Sequence, residues 1–191
     1  MIFGALKRLM DIAASLFLLI VLSWLFIIMA VAIRVTSPGP ALYWSDRVGR
    51  KGRIFSMPKF RSMPIDTPAL ATHLVQADQL RLTPLGGFLR RSSLDELPQL
   101  WSILRGDMSF VGPRPALFNQ YDLIELRQHA GVDNLIPGVT GLAQVNGRDD
   151  LSIPEKVALD AEYLRTRGFI TDIKILLQTI IKVVRSEGIR H

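Results

Sequence analysis

Ile12-Ala13-Ala14-Ser15-Leu16-Phe17-Leu18-Leu19-Ile20-Val21-Leu22-Ser23-Trp24-Leu25-Phe26-Ile27-Ile28-Met29-Ala30-Val31-Ala32-Ile33 contains no charged residue, and its polar side chains are Ser15 and Ser23. About 20 such residues suffice to cross a hydrocarbon core of roughly 30 Å as a helix. The stretch is too long for a signal-peptide apolar region, and no small-residue cleavage site precedes Arg34. A membrane-inserted helix is therefore expected over residues 1–36, with a separate domain over residues 37–191. Basic residues flank the run on both sides: Lys7 and Arg8 before it, Arg34, Arg47, Arg50, Lys51 and Arg53 after it. Both flanks then prefer the cytoplasm. Two topologies satisfy this: a helix that enters and leaves on one side, or a spanning helix whose larger basic flank decides the orientation.

The remaining composition agrees with a lipid surface. At 191 residues the chain suits one domain plus an attached element, and 23 Lys and Arg outnumber 17 Asp and Glu. An apolar yet basic chain fits an anionic bilayer. Nucleic-acid binding would explain the charge, but not the apolar run. The absence of cysteine excludes disulfides, thiolate metal sites and cysteine nucleophiles.

Beyond Thr36-Ser37-Pro38-Gly39-Pro40, which stops the helix, residues 41–60 read as a β-hairpin around a basic, glycine-containing turn. Residues 64–82 read as a loop with a short helix. Helices are expected over residues 98–104, with Pro98 in the first turn, and over 118–131, 154–167 and 169–185. Residues 137–141 read as a turn and 142–145 as a strand. The last helix carries a wide apolar face (Ile170, Ile173, Leu177, Ile180, Ile181, Val184) that reads first as core packing and second as membrane contact. The fold class is mixed, α/β in content and α+β in arrangement.

Candidate chemistry centres on Asp95 and Glu96. Ser93-x-x-Glu96 matches a capping box, yet Pro98 would then fall inside the helix. If Pro98 opens the helix instead, both acids lie just ahead of it. An ionised Asp can attack phosphorus and divide a difficult transfer into two steps. Adjacent carboxylates approach a phosphate only when a cation neutralises them, and Mg²⁺ (or Mn²⁺) does so. Gly112-Pro113-Arg114-Pro115 presents a guanidinium with little backbone freedom, suited to bidentate phosphate binding or to a plain surface turn. Lys59, Asn146 and Arg148 are weaker candidates for the same phosphates. His73, His129 and His191 show no metal spacing, and no glycine-rich nucleotide loop is present.

These blocks resemble the monotopic phosphoglycosyl transferases, the bacterial sugar transferase family. The resemblance rests on Lys7-Arg8 with Asp11, Thr36 to Pro40, Lys59-Phe60-Arg61-Ser62-Met63, Ser93 to Leu100, Gly106 to Pro115, and Pro137 to Gly141 through Gln144-Val145-Asn146-Gly147-Arg148. It implies transfer of a sugar 1-phosphate from a UDP-sugar to polyprenol phosphate, with release of UMP. By resemblance Asp95 is the nucleophile, and Glu96 its partner near Mg²⁺ and the acceptor. Lys59, Arg114, Asn146 and Arg148 would hold phosphates or uridine. The expected place is the cytoplasmic face of a bacterial inner membrane, with amphipathic helices at the interface and homo-oligomerisation left open. The family's N-terminal helix is re-entrant at a Ser-Pro pair. Here the pair is Ser23-Trp24, Leu142 replaces a common Trp, and Gly87 replaces a common basic residue. A non-catalytic membrane scaffold and an aspartyl-phosphate phosphatase are the competing readings.

Overall fold

A computed structural model describes residues 2–67, 81–147 and 150–185 of the chain. The apolar run is not one helix. It is the junction of α1 (Ile2–Val21) and α2 (Ser23–Thr36), bent by 61° at Leu22. Among the described residues no single helix is long and apolar enough to cross a membrane, whereas the bent pair meets that length and composition together. Proline does not cause the bend, and the Ser23 hydroxyl makes no hydrogen bond back to a carbonyl. Leu22 leaves the helical basin (φ −93, ψ 4) yet still bonds its N–H to Leu18 O and accepts from Phe26 N–H.

Packing accounts for the angle, because the two halves are fixed to different surfaces. In α1, Arg8 donates to the carbonyls of Ile103 and Leu104, the Asp11 carboxylate accepts from Phe110 N–H, and Lys7 pairs with Asp172. In α2, Phe26, Met29 and Ala30 pack with buried Ile33 against Phe60 and Leu89. The opposite faces stay bare: Phe17, Ile20, Trp24, Ile27 and Val31 are all more than half exposed.

The hairpin forms as expected. β1 (Leu42–Val48) pairs antiparallel with β2 (Ile54–Phe60), with Leu42 opposite Phe60 and Val48 opposite Ile54. Of the expected loop over 64–82, residues 68–80 lie outside the described residues. A short helix α3 (Gly86–Arg91) leads to α4 (Gln99–Arg105), which Pro98 opens and Gly106 ends at φ 95. β3 (Ser109–Val111) follows, then α5 (Tyr121–His129).

Two local expectations are corrected. Residues 138–140 form β4 (Gly138–Thr140), parallel to β3, rather than a turn. Residues 142–145 are then a helical turn, α6 (Leu142–Val145), not a strand. Glycine explains the first: a Cβ on Gly138 would sit 2.1 Å from Gly112 N, so the two backbones meet only without side chains. The short strands escape detection because a period of two is invisible over three residues.

α7 (Ile153–Thr166) and α8 (Phe169–Arg185) complete the fold. α7 opens with a capping box made by Ser152 and Glu155. A main core gathers Val111, Val132, Leu135, Val145, Tyr163 and Ile175, and a second gathers Phe55, Met57, Leu100, Ile103 and Met108. The core-packing expectation for α8 is also corrected. Ile175 is buried, but Ile170, Leu177, Ile180 and Ile181 are at least half exposed. The inward face of α8 is narrower and partly polar: Asp172 accepts from Tyr163 Oη, and Thr179 shares a hydrogen bond with Thr140.

Candidate active site

Asp95 and Glu96 owe their position to Ser93. Its backbone is left-handed (φ 56), uncommon away from glycine, and it turns the chain out of α3 into a single 3-10 turn, Leu94–Glu96. The Ser93 side chain makes no capping bond, so the capping-box alternative is not used. Both acids lie immediately before Pro98 and α4, as the proline position implies.

Three elements meet here. Glu96 Oε1 accepts from Lys59 Nζ of β2 at 2.9 Å and from Arg114 Nη2, in the loop after β3, at 2.6 Å. Burial alone would raise the Glu96 carboxyl. The charges of Arg114 and Lys59, with their hydrogen bonds, outweigh it and hold the group well below the usual carboxylate range. Lys59 is lowered by burial, against the pull of Glu96.

Asp95 differs. It is 7 % exposed, and among the described residues its carboxylate accepts no hydrogen bond. Burial raises its pKa; the Lys59 charge opposes the rise and neighbouring Glu96 adds to it. One carboxylate is thus held through one oxygen by two cations, and the other is desolvated and, among the described residues, without a hydrogen bond. Adjacent groups pushed in opposite directions are a mark of assigned roles.

Sequence reasoning missed three contributors. Arg47, beside Arg114 and Glu96, is lowered to about 10 by burial and by the Arg114 charge. The hairpin register offered the signal, since Tyr43, Ser45 and Arg47 alternate onto the face shared by Phe55, Met57 and Lys59. Arg127 in α5 donates to Arg114 O at 2.7 Å and twice to Asp160 Oδ2 in α7. This ion pair fixes the loop that carries Arg114. Gln144 is buried in α6, with neither amide atom bonded among the described residues.

Asn146 does not join the cluster. It is exposed, and its amide donates to Leu142 O at the end of α6. Arg148 lies outside the described residues. Among the described residues no group of three or more His, Cys, Asp or Glu could hold a metal. A divalent ion would have to use Asp95 and Glu96 Oε2, the oxygen outside the ion pairs, together with substrate oxygens. That sparse donor set fits Mg²⁺, which binds through one or two carboxylates plus phosphates.

The family model described as "Bacterial sugar transferase" matches residues 3–186, and the chain belongs to that family. It is 40% identical over 186 residues to the uncharacterized sugar transferase EpsL of Bacillus subtilis, covering 97% of this chain and 91% of that protein. It is 37% identical to the undecaprenyl-phosphate galactose phosphotransferase of Salmonella typhimurium, covering 96% of this chain and 41% of that one. It is 39% identical to the undecaprenyl-phosphate glucose phosphotransferase of Komagataeibacter xylinus, covering 95% and 36% respectively. The chain therefore spans well under half of these two longer relatives.

Proposed function

We propose that this protein moves a sugar 1-phosphate from a UDP-sugar to polyprenol phosphate through a phosphosugar carried on Asp95. One observation carries the reading: Asp95 is a buried carboxylate that accepts no hydrogen bond among the described residues, next to a Glu96 whose Oε1 is held by both Lys59 and Arg114. The names of the Salmonella and Komagataeibacter relatives, which act on undecaprenyl phosphate, support the class of acceptor. Galactose in one and glucose in the other leave the sugar open.

In the first step an Asp95 oxygen attacks the phosphorus that bears the sugar. A P–O bond to Asp95 forms, the bond to the bridging oxygen of the diphosphate breaks, and UMP leaves with that oxygen. In the second step an oxygen of polyprenol phosphate attacks the same phosphorus. The P–O bond to Asp95 breaks, giving polyprenol diphosphate sugar and the free carboxylate. Splitting the transfer in this way needs only one well-placed nucleophile. Lys59 and Arg114 offset the charge that collects around Glu96 and the phosphates, and Arg127 with Asp160 keeps Arg114 in position. Bound at Asp95 and Glu96, Mg²⁺ or Mn²⁺ would supply the neutralisation that lets a carboxylate approach a diphosphate.

The bent α1–α2 pair sits in the bilayer as a re-entrant element, with the start of α1 and the end of α2 both on the cytoplasmic side. Its basic flanks and bare apolar faces support this, as does the exposed face of α8, which would rest on the interface. The site then faces the cytoplasm of a bacterial inner membrane, where lipid acceptor and soluble donor meet. UMP release is measured with and without polyprenol phosphate. Product on the lipid supports the transferase; free sugar phosphate without the lipid marks a hydrolase; no release marks a scaffold.

A further inference from the structure

A cavity of about 240 Å³ opens beside the acid pair, and its walls are mostly apolar. Leu18 and Leu22 line it at the break between α1 and α2, Val139 and Val183 line it from β4 and α8, and Glu96 and Gln144 reach it from the polar side. Asp95 itself does not line it. The cavity thus connects the bare lipid-facing helices with the carboxylate that pairs with Lys59 and Arg114.

Gln144 is the informative residue. It is 8 % exposed, yet among the described residues neither its amide nitrogen nor its amide oxygen has a hydrogen-bond partner. Thr140 and Thr179 on the same wall satisfy one another at 2.7 Å, so the cavity's polar groups are not uniformly unpaired. A buried amide without partners lowers stability, and native proteins retain such a group where something else bonds to it. Lys182 adds a cation to this wall. An apolar recess with one waiting amide and one cation matches a molecule that has a hydrocarbon body and an anionic end.

We propose that this cavity is the acceptor subsite: it takes the first isoprene units of polyprenol phosphate sideways from the bilayer, and Gln144 binds and orients the phosphate. This rests on the transferase reading and adds the place and residue by which the lipid is held. A charged soluble donor gains little from walls of Leu18, Leu22, Val139 and Val183. A prenyl chain gains roughly 25 cal/mol for each Å² of apolar surface it buries there.

The test uses the full-length protein in detergent or nanodiscs, with Gln144→Leu and Val183→Trp. Leucine keeps the volume of Gln144 and removes only atoms that lack protein partners, so the melting temperature stays equal or rises. Val183 lies partly exposed on α8, and tryptophan there fills the recess without disturbing the core. The KM for polyprenol phosphate rises about tenfold in each variant, the loss of roughly one hydrogen bond or of comparable apolar contact, while the KM for the UDP-sugar stays within about twofold. Equal effects on both substrates, or on neither, overturn the proposal. A second arm does not depend on turnover. A prenyl phosphate with a photoreactive group on its second isoprene crosslinks to peptides containing Leu18, Leu22 or Val183, and unlabelled polyprenol phosphate competes. Absence of turnover alongside competed crosslinks refutes the transferase chemistry but keeps the subsite. Crosslinks that ordinary phospholipid displaces equally well show a general lipid crevice and overturn it.

Discussion

Arg114 Nη2 lies 2.6 Å from Glu96 Oε1, the same oxygen that receives Lys59 Nζ. With both cations on that oxygen, Asp95, the adjacent acid, has no direct ion pair among the described residues. Arg114→Lys retains the charge but loses the planar fork, and a point ammonium on a flexible stem does not reproduce it. The expected result is a fall in kcat/KM of about tenfold or more, with the fold retained by circular dichroism. Unchanged kinetics would return Arg114 to the role of a surface turn residue.

The pH profile follows from the opposed shifts. Asp95 is raised above its ordinary value of 3.8, so its ionised, nucleophilic form is lost as pH falls through that raised value. The acid limb of kcat/KM therefore lies above pH 3.8. The same shift costs stability above the folded pKa and relieves it below. Glu96 has the opposite sign: its contribution is present above 4.5 and is lost only as pH falls through a value well below that. Lys59→Met removes the charge that most favours ionised Asp95, so it moves the acid limb to higher pH. A limb that stays in place in this variant would exclude Asp95 as the group it reports.

Asp160→Asn tests the support beneath the site. Asp160 is 1 % exposed and carries both hydrogen bonds from Arg127. Leaving Arg127 buried without its anion costs about 3–5 kcal/mol in chemical denaturation, typical of breaking one side of a buried pair. Activity falls too, because Arg127 also holds the carbonyl of Arg114.

Much of this was legible in the residues. The hairpin, the role of Pro98 and the extent of α8 follow from turn chemistry and periodicity, and the meeting of Lys59, Arg114, Asp95 and Glu96 follows the motif blocks. What escaped depends on tertiary packing. β3 and β4 pair through the closeness of Gly112 and Gly138, which three residues of strand cannot announce. Leu22 bends without proline because α1 and α2 are anchored on different surfaces. The outward face of α8 reads as core from periodicity alone, since a hydrophobic stripe looks the same whether protein or lipid covers it.

Topology has its own test in a chain without cysteine. Phe3→Cys in intact cells is expected to resist an impermeant maleimide and to label only after permeabilisation. Labelling from outside would mean that the bent pair spans the bilayer.

Metal dependence is expected as well. Excess EDTA should abolish turnover, and added Mg²⁺ or Mn²⁺ should restore it, because the carboxylate must approach an anionic diphosphate. Full activity in chelator would remove Asp95 and Glu96 as metal ligands.

The central claim is the bond between Asp95 and the phosphosugar. Intact-protein mass spectrometry after incubation with the UDP-sugar and Mg²⁺, without polyprenol phosphate, reads it directly. The account predicts a mass increase of one sugar phosphate, matched by an equal amount of UMP, mapped to Asp95 and absent in Asp95→Asn. Adding polyprenol phosphate removes the adduct. UMP release that requires the lipid, with no adduct formed in its absence, would contradict the account.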